Sequence, residues 1–222
     1  MRFAALETSS DWCSVALWLD GEIVSVERRA PNGHSELVLP MLHSLLSQRD
    51  ISIEKLDAIA FGSGPGAFTG LRIACGIAQG LALPRSLPVA GVSSFEAMAE
   101  ECGAANVVAC IDARMHEVYY AALKREGAGW SEVVPGRCVA PAAAEPPPGE
   151  GWIGCGSGFS AFRDFLQNKI VRVNPEIHPT AHAVARLAAP RLLAGKGVDA
   201  SQALPTYFRD KVAFTQAELA SR

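Results

Sequence analysis

The chain has little that would hold nucleic acid directly. Its formal net charge is −3, its pI is near 6.0 and charged residues make up 19% of the 222 residues. No basic run is longer than two residues, as at Arg28-Arg29. A protein that grips nucleic acid unaided usually presents a strongly basic face. We therefore expect any role on RNA to depend on a partner that supplies positive charge.

Cysteine occurs without the close pairs that bind zinc. The chain has no CxxC spacing, which argues against a zinc site of that type. Several cysteines fall in strand-like or helix-like apolar runs, so we interpret them as small buried hydrophobic residues of a protein from a reducing cytoplasm. The six are Cys13, Cys75, Cys102, Cys110, Cys138 and Cys155.

Long apolar runs are also missing. No run approaches the roughly 18 residues that a membrane span needs, and the N-terminal segment lacks a basic region followed by a long apolar stretch. The sequence predicts a cytoplasmic protein with no membrane segment and no signal peptide. Hydrophobic residues make up 49% of the chain, which is enough for a substantial core.

The first half alternates strand and helix patterns. Three short apolar runs with tight turns predict an antiparallel meander, and a helix with apolar residues at helical spacing follows. A further strand then leads through a glycine-rich turn into a second helix, and another strand and helix complete the half. The predicted strands are 2–8, 12–19, 22–29, 58–61 and 88–92, and the helices lie near 34–48, 69–83 and 94–102.

The second half repeats this order. Predicted strands at 107–111, 118–123 and 131–139 precede a proline-rich loop at 141–151, a strand at 152–154, a glycine turn and helices at 159–167 and 180–193. We therefore predict an α/β protein of duplicated βββαβα units. The N-terminal lobe spans 1–104 and the C-terminal lobe 105–222, with the final residues packing back on the N-terminal lobe.

The glycine turn at 62–67 could in principle bind phosphate, because a helix N-terminus presents free N–H groups. Its spacing is close to the dinucleotide fingerprint. However, Pro65 interrupts it, it does not follow the first strand, and no acidic residue lies at the expected offset. We favour a structural role for the turn.

Two acids end equivalent strands of the two halves. Glu7 is followed by Thr8 and Ser9, and Asp112 is followed by Ala113 and Arg114. Actin-like ATPases and sugar kinases keep phosphate loops, usually Asp-x-Gly, at such positions. Glu7, Thr8, Ser9 and Asp112 are therefore candidates for a vestigial nucleotide site. The alternative is that both acids bind local N–H groups at hairpin turns.

His178 and His182 have the HxxxH spacing that could chelate a metal on one helix face. Pro179 and Thr180 place the predicted helix start between them, so we expect no metal site. We also find no GxSxG elbow or activated cysteine, and predict no catalytic residue.

The helix after the glycine turn carries small residues every four positions. This stripe either packs on the chain's own sheet or lets another helix approach closely. We favour a partner face, with Leu71, Ile73, Ile77 and Leu81 in the core. The predicted interface residues are Leu37, Met41, Leu45, Gly70, Ala74, Ala78 and Ala82.

Several motifs together resemble the bacterial TsaB (YeaZ) family. The most specific is a signature turn, GPGAFTGLR, whose marking residues are Gly64, Pro65, Gly66, Phe68, Thr69, Gly70 and Arg72. The others are the segments 7–9, 13–17, 34–36, 111–114 and 207–213. The chain departs from the family at Glu7, where aspartate is usual, and in the loop 141–151.

This resemblance implies a two-lobe actin-like ATPase (ribonuclease H-like) fold. It implies a non-catalytic subunit, without a cofactor of its own, in making N6-threonylcarbamoyladenosine at position 37 of tRNAs that read ANN codons. The implied partners are a catalytic TsaD-like subunit and a TsaE-like ATPase. The implied contact uses the first two helices, which also form a homodimer when the protein is alone, and tRNA binds only through the complex.

Two other functions remain open. One is an active ATPase or sugar-kinase-like enzyme that uses Glu7, Thr8 and Asp112, with ATP or ADP held weakly or at a shared interface. The other is a metallopeptidase that uses His178 and His182, in line with the glycoprotease (M22) label once given to this family.

Overall fold

The computed structural model describes residues 1–162 and 170–209 and contains two five-stranded sheets. The first sheet has the order β3-β2-β1-β4-β5, and the second has the equivalent order β8-β7-β6-β9-β10. In each sheet the first three strands run antiparallel and the remaining two run parallel to the central strand. The predicted two-lobe α/β fold with a duplicated sheet is confirmed.

The elements of the first half are β1 (Arg2–Glu7), β2 (Trp12–Leu19), β3 (Glu22–Arg29), α1 (His34–Gln48), β4 (Ala58–Gly64), α2 (Phe68–Ala82), β5 (Val89–Ser93) and α3 (Ser94–Cys102). Those of the second are β6 (Asn106–Asp112), β7 (Val118–Glu126), β8 (Gly129–Val139), β9 (Trp152–Cys155), α4 (Gly158–Ala161), β10 (Ile170–Asn174) and α5 (Ala181–Leu193). No described helix is both long enough and apolar enough to span a membrane.

The helices form layers around the sheets. α1 and α2 cover one face of the first sheet, and α5 covers the other. Because β1 and β4 are covered on both faces, their sequences are nearly continuous apolar runs. α3 contacts the second sheet, β4 and β5 of the first sheet, and α5, so each half of the chain supplies a helix to the layer between the sheets.

The duplication is incomplete in one respect. Between β8 and β9 the second half has the proline-rich loop, with a single 3₁₀ turn at Pro141–Ala143, where the first half has α1. The prediction of a βββαβα unit in this half is therefore wrong for its first helix. Proline lacks the N–H that a helix interior needs, which accounts for the difference.

Among the later helices, one boundary differs from the prediction. α3 spans its predicted range, 94–102, and is capped by Ser93 through a capping box with Glu96. The helix predicted at 159–167 is the short α4, and residues 163–167 lie outside the described part of the chain. α5 begins at Ala181 and is capped by Thr180, the first residue of the predicted helix, whose hydroxyl accepts the N–H of Ala183 at 3.1 Å.

The chain after α5 returns to the first sheet. Val198 forms a bridge with Val89 of β5, and the Ala203 carbonyl accepts the Gln79 side-chain amide of α2 at 2.8 Å. Thr206 N–H donates to the Ser63 carbonyl at 2.7 Å. Residues 210–222, the rest of the predicted returning tail, lie outside the described residues.

Candidate functional site

The first candidate nucleotide loop, at the end of β1, is enclosed by the chain itself. Glu7 and Thr8 are fully buried, and Ser9 is 3% exposed. One Glu7 carboxylate oxygen accepts the Ser9 N–H at 2.6 Å, while the other has no hydrogen-bond partner among the described residues. Burial, opposed by the bonds from Ser9, raises the pKa of Glu7 from 4.5 to about 7.

The space for this longer acid comes from the neighbouring strand. A Cβ at Gly62 of β4 would lie 1.8 Å from the unpartnered Glu7 oxygen. Any side chain at this position would therefore displace the carboxylate. Glycine at 62 and glutamate at 7 thus fit as a pair.

The signature turn closes over the same loop. The Thr8 hydroxyl donates to the Gly70 carbonyl at 2.7 Å, and Ala67 N–H donates to the Ser9 carbonyl at 2.7 Å. A Cβ on Gly70 would lie 1.9 Å from the Thr8 carbonyl oxygen, and one on Gly66 would lie 2.4 Å from that of Ser9. These glycines therefore permit direct backbone packing between the turn and the β1–β2 loop.

A cleft of about 460 Å³ lies between the two lobes, at the ends of β1 and β6. Ser9, Ser10, Asp112 and Arg114 are among the side chains that line it, but Glu7 and Thr8 are not. Of the four proposed nucleotide-site residues, only Ser9 and Asp112 thus border the cleft. The proposal is corrected for Glu7 and Thr8, because the signature turn covers them.

Asp112 is already engaged by its own loop. Its carboxylate accepts the Arg114 N–H at 2.8 Å and pairs with the Arg114 guanidinium at 3.1 Å. Arg114 has a φ of +61°, a conformation in which glycine is the usual residue. Local binding of N–H groups, the alternative interpretation for these acids, therefore describes both Asp112 and Glu7.

His178 lies before α5, and His182 lies in the first turn of that helix. The predicted helix start between the two histidines is confirmed, so they do not share one helix face. His178 stacks on Trp12, with ring centroids 4.8 Å apart, and its Nε2 lies 3.2 Å from a Glu27 carboxylate oxygen. Within residues 1–162 and 170–209, no three His, Cys, Asp or Glu side chains form a group that could hold a metal ion.

The small-residue stripe of α2 faces inward, so the predicted orientation of this helix is wrong. Ala74, Ala78 and Ala82 are fully buried against the first sheet, and Gly70 is buried against the β1–β2 loop. Leu71 is in the core as expected, but Ile73, Ile77 and Leu81 remain partly exposed. The close approach that the small residues permit is to the chain's own sheet.

The predicted positions on α1 are mostly core residues too. Met41 and Leu45 are 6% and 5% exposed, and only Leu37 is partly exposed. Leu39, which the sequence did not single out, is 45% exposed. The accessible apolar side chains of α1 therefore lie in its first two turns.

The outward surface of α2 is the feature that the sequence did not reveal. Its centre is formed by Gly76 and Gly80, where an added Cβ would meet nothing within 4 Å. Ile73, Ile77 and Leu81 flank the glycines, and Arg72 is the only charged residue of the helix. We call this surface the α2 outer face.

A cluster of Phe68, Arg72 and Tyr207 extends the α2 outer face at the N-terminal end of the helix. The Arg72 guanidinium lies 3.8 Å from the centroid of the Phe68 ring, and its Nε donates to the Tyr207 hydroxyl at 3.1 Å. Arg209 donates to the Ala113 carbonyl at 2.9 Å and pairs with Glu117. The described tail thus joins α2 to the loop after β6. Residues 210–213 of the tail motif lie outside the described residues.

Comparison with known proteins identifies the family. The tRNA threonylcarbamoyladenosine biosynthesis protein TsaB of Escherichia coli K12 is 37% identical over 225 residues, covering 96% of this chain and 97% of that protein. The chain belongs to the TsaB family. TsaB of Haemophilus influenzae is 34% identical, covering 96% of this chain and 95% of that protein. A family model for TsaD, described as tRNA N6-adenosine threonylcarbamoyltransferase, matches residues 26–219.

Solved structures agree with this assignment. YeaZ from Pseudomonas aeruginosa superposes with a TM-score of 0.87 at 37% identity, over 93% of this chain and 99% of that one. A second P. aeruginosa structure, of a protein with similarity to the peptidase YeaZ, superposes with a TM-score of 0.89 at 36% identity, over 94% of this chain and 99% of that one. The resemblance stated from the signature turn is confirmed, as is the two-lobe fold that it implied.

Proposed function

We propose that this TsaB-family chain is a non-catalytic subunit in the synthesis of threonylcarbamoyladenosine on tRNA. Its relatives carry that pathway in their names. In this proposal it binds a catalytic TsaD-like subunit through the α2 outer face and the exposed start of α1. A TsaE-like ATPase joins the pair, and tRNA contacts this chain only within the complex.

The α2 outer face is the observation that carries the proposal. Glycine in a helix interior costs about 1 kcal/mol relative to alanine, yet nothing in the described chain requires glycine at 76 or 80. A neighbouring helix that approaches closely gives both residues a reason, because the usual interaxial distance of 8–10 Å depends on the side chains at the contact. The partly exposed Ile73, Ile77 and Leu81 would be covered by the same contact.

The same face also suits a second copy of this chain. In the absence of the catalytic subunit, an identical α2 presents a matching apolar surface, and the contact between copies would be symmetric. We propose that the isolated protein forms a homodimer there, in competition with the TsaD-like subunit.

The enclosed β1–β2 loop supports a non-catalytic role. Glu7 and Thr8 are covered, and the Asp112 carboxylate is paired with Arg114. The alternative of an active ATPase or kinase would need these acids to face a nucleotide. The net charge of −3 agrees with tRNA contacts made mainly by other subunits.

The test is reconstitution with a purified TsaD-like subunit. Gly76→Arg adds a long charged side chain where a Cβ has open space, so the variant chain should fold normally. We expect it to lose co-purification and to fail to support modification of tRNA. Ala142→Arg, exposed in the loop of the second lobe, is the control. This variant should still co-purify with the TsaD-like subunit and support modification of tRNA. If Gly76→Arg still binds and supports modification, the proposed interface is wrong.

A further inference from the structure

A groove of about 340 Å³ lies at the N-terminal end of α2, between the signature turn and the tail that follows α5. Aromatic rings and guanidinium groups line it together. The rings belong to Phe68, Tyr119, Tyr207 and Phe208, and the guanidinium groups to Arg72 and Arg209. Tyr207 is 48% exposed, so the groove presents aromatic surface that the described chain leaves open to solvent.

The two arginines of this groove differ in their partners. Arg209 pairs with the Glu117 carboxylate and donates to the Ala113 carbonyl at 2.9 Å. Arg72 is exposed and forms no ion pair with any residue of 1–162 and 170–209. The groove therefore holds one positive charge that has no acidic counterpart in the described part of the chain.

The Arg72 guanidinium is nevertheless held in place. Its Nε donates to the Tyr207 hydroxyl at 3.1 Å, and its central carbon lies 3.8 Å from the centroid of the Phe68 ring. The two terminal amino groups make no hydrogen bond to a described residue. A planar guanidinium with free N–H groups matches a carboxylate in a two-pronged geometry. Because Phe68 and Tyr207 already fix the side chain, less conformational freedom is lost when an anion binds.

The position of Arg72 connects the groove to the α2 outer face. Arg72 lies four residues before Gly76 and eight before Gly80, so all three share one side of the helix. A helix that packs closely on Gly76 would reach Arg72 with its next turn, about 5.4 Å along the axis. Arginine and tyrosine are also the residues most common at the energetic centres of protein interfaces. The net charge of −3 favours a carboxylate over a nucleic-acid phosphate as the bound anion.

We propose that this groove, which we call the Arg72 groove, receives an aspartate or glutamate side chain of the TsaD-like subunit. The partner's carboxylate accepts from the free N–H groups of Arg72, and an apolar residue beside it packs against Phe68 and Tyr207. The inference rests on the proposed function, because it places the acid on the helix that covers the α2 outer face.

The experiment measures the Kd of the full chain for the purified TsaD-like subunit at about 0.1 M and about 1 M salt, where the Debye length is roughly 10 Å and roughly 3 Å. Wild-type association should weaken at the higher salt. Arg72→Glu replaces attraction by repulsion, so its association should be about 100-fold weaker at the lower salt. Higher salt should strengthen binding by this variant, which reverses the wild-type response.

Two further variants make the result specific. Arg28→Glu makes the same change of net charge at an exposed position of β3, an edge strand of the first sheet, and should keep the wild-type affinity and salt response. Arg72→Met removes the charge and keeps a long side chain of high helix propensity. It should match the wild-type urea midpoint and lose most of the salt dependence.

Carbodiimide cross-linking of the complex identifies the acid. Arg72→Lys introduces a primary amine, which a carboxylate activated by the carbodiimide acylates, so that an amide bond forms and the corresponding urea leaves. We expect the peptide that contains position 72 to be linked to an aspartate or glutamate of the partner. Wild type, with arginine at 72, should show no such link. A complex of Arg72→Lys that assembles without a link at this position would contradict the proposal.

The outcomes separate the groove from the interface as a whole. Wild-type affinity and salt response in Arg72→Glu and Arg72→Met would overturn the proposal. If Gly76→Arg loses association in the same series, the α2 outer face still stands as the interface. Wild-type association by Gly76→Arg would instead refute the proposed interface. Weaker binding of tRNA by complexes of the Arg72 variants, with unchanged affinity between the subunits, would assign the groove to nucleic acid and overturn the proposal.

Discussion

The buried acid at the end of β1 predicts a stability that depends on pH. Glu7 has an ordinary pKa of 4.5 and a folded-state pKa of about 7, raised by burial. As pH rises from 4.5, the unfolded chain releases this proton before the folded chain does. The free energy of unfolding should therefore decrease between pH 4.5 and 7, because ionisation favours the unfolded state in that interval.

The size of this decrease follows from the shift. About 2.5 pKa units at about 1.4 kcal/mol per unit give on the order of 3 kcal/mol. Glu7→Gln keeps an oxygen that can accept the Ser9 N–H but cannot ionise. The variant should therefore become more stable relative to wild type as pH rises, by up to about 3 kcal/mol between pH 4.5 and 8.

Urea unfolding of both proteins at pH 4.5, 6, 7 and 8, followed by tryptophan fluorescence, measures this difference. Cys13, which contacts Glu7 electrostatically, has its pKa raised to about 11 and so stays neutral throughout the range. Glu150→Gln, in the exposed 141–151 loop, controls for the loss of a surface carboxylate. A difference between Glu7→Gln and wild type that does not change with pH would refute the reasoning.

Three further predictions concern α2, the tail and the cleft. Gly70→Ala should destabilise the chain by roughly 1–3 kcal/mol because its Cβ would lie 1.9 Å from the Thr8 carbonyl oxygen; equal urea midpoints for variant and wild type would contradict this. Arg209→Ala should cost about 2 kcal/mol, measured in the same way, by removing charged hydrogen bonds to the loop after β6; Arg209→Lys should recover part of the loss, and an unchanged midpoint in Arg209→Ala would count against this role. Calorimetry of the isolated chain with ATP and Mg²⁺ should show no saturable binding, since Glu7 and Thr8 are enclosed; a tight, stoichiometric heat would revive the ATPase alternative.

Much of the fold follows from local patterns. The antiparallel meander at the start of each half, the central strands and the cap of α5 at Thr180 all agree with the predicted positions. The apolar pattern does not predict β10, because its sequence, IVRVN, is short and four of its five residues are exposed in a strand at the edge of the sheet. The prolines of the 141–151 loop indicate that no helix precedes β9, which a strict duplication of the first half would require.

The orientation of α2 could not be read from its composition. Both of its faces are apolar, so hydrophobic periodicity does not distinguish the buried stripe from the exposed one. The deciding contact is long-range: Gly70 lies against Thr8 across 62 positions of sequence. The same holds for the Trp12–His178 stack, which only the packing of the two halves brings together.

The most direct test of the central claim is the affinity of this chain for a purified TsaD-like subunit, measured for wild type and Gly76→Ala. An added methyl group at 76 meets open space within the chain, so the isolated variant should be more stable by up to about 1 kcal/mol. If a partner helix packs closely on the α2 outer face, the same methyl group should weaken association about tenfold or more, since overpacking a contact costs about 1–3 kcal/mol. Unchanged or tighter binding by Gly76→Ala would contradict the account.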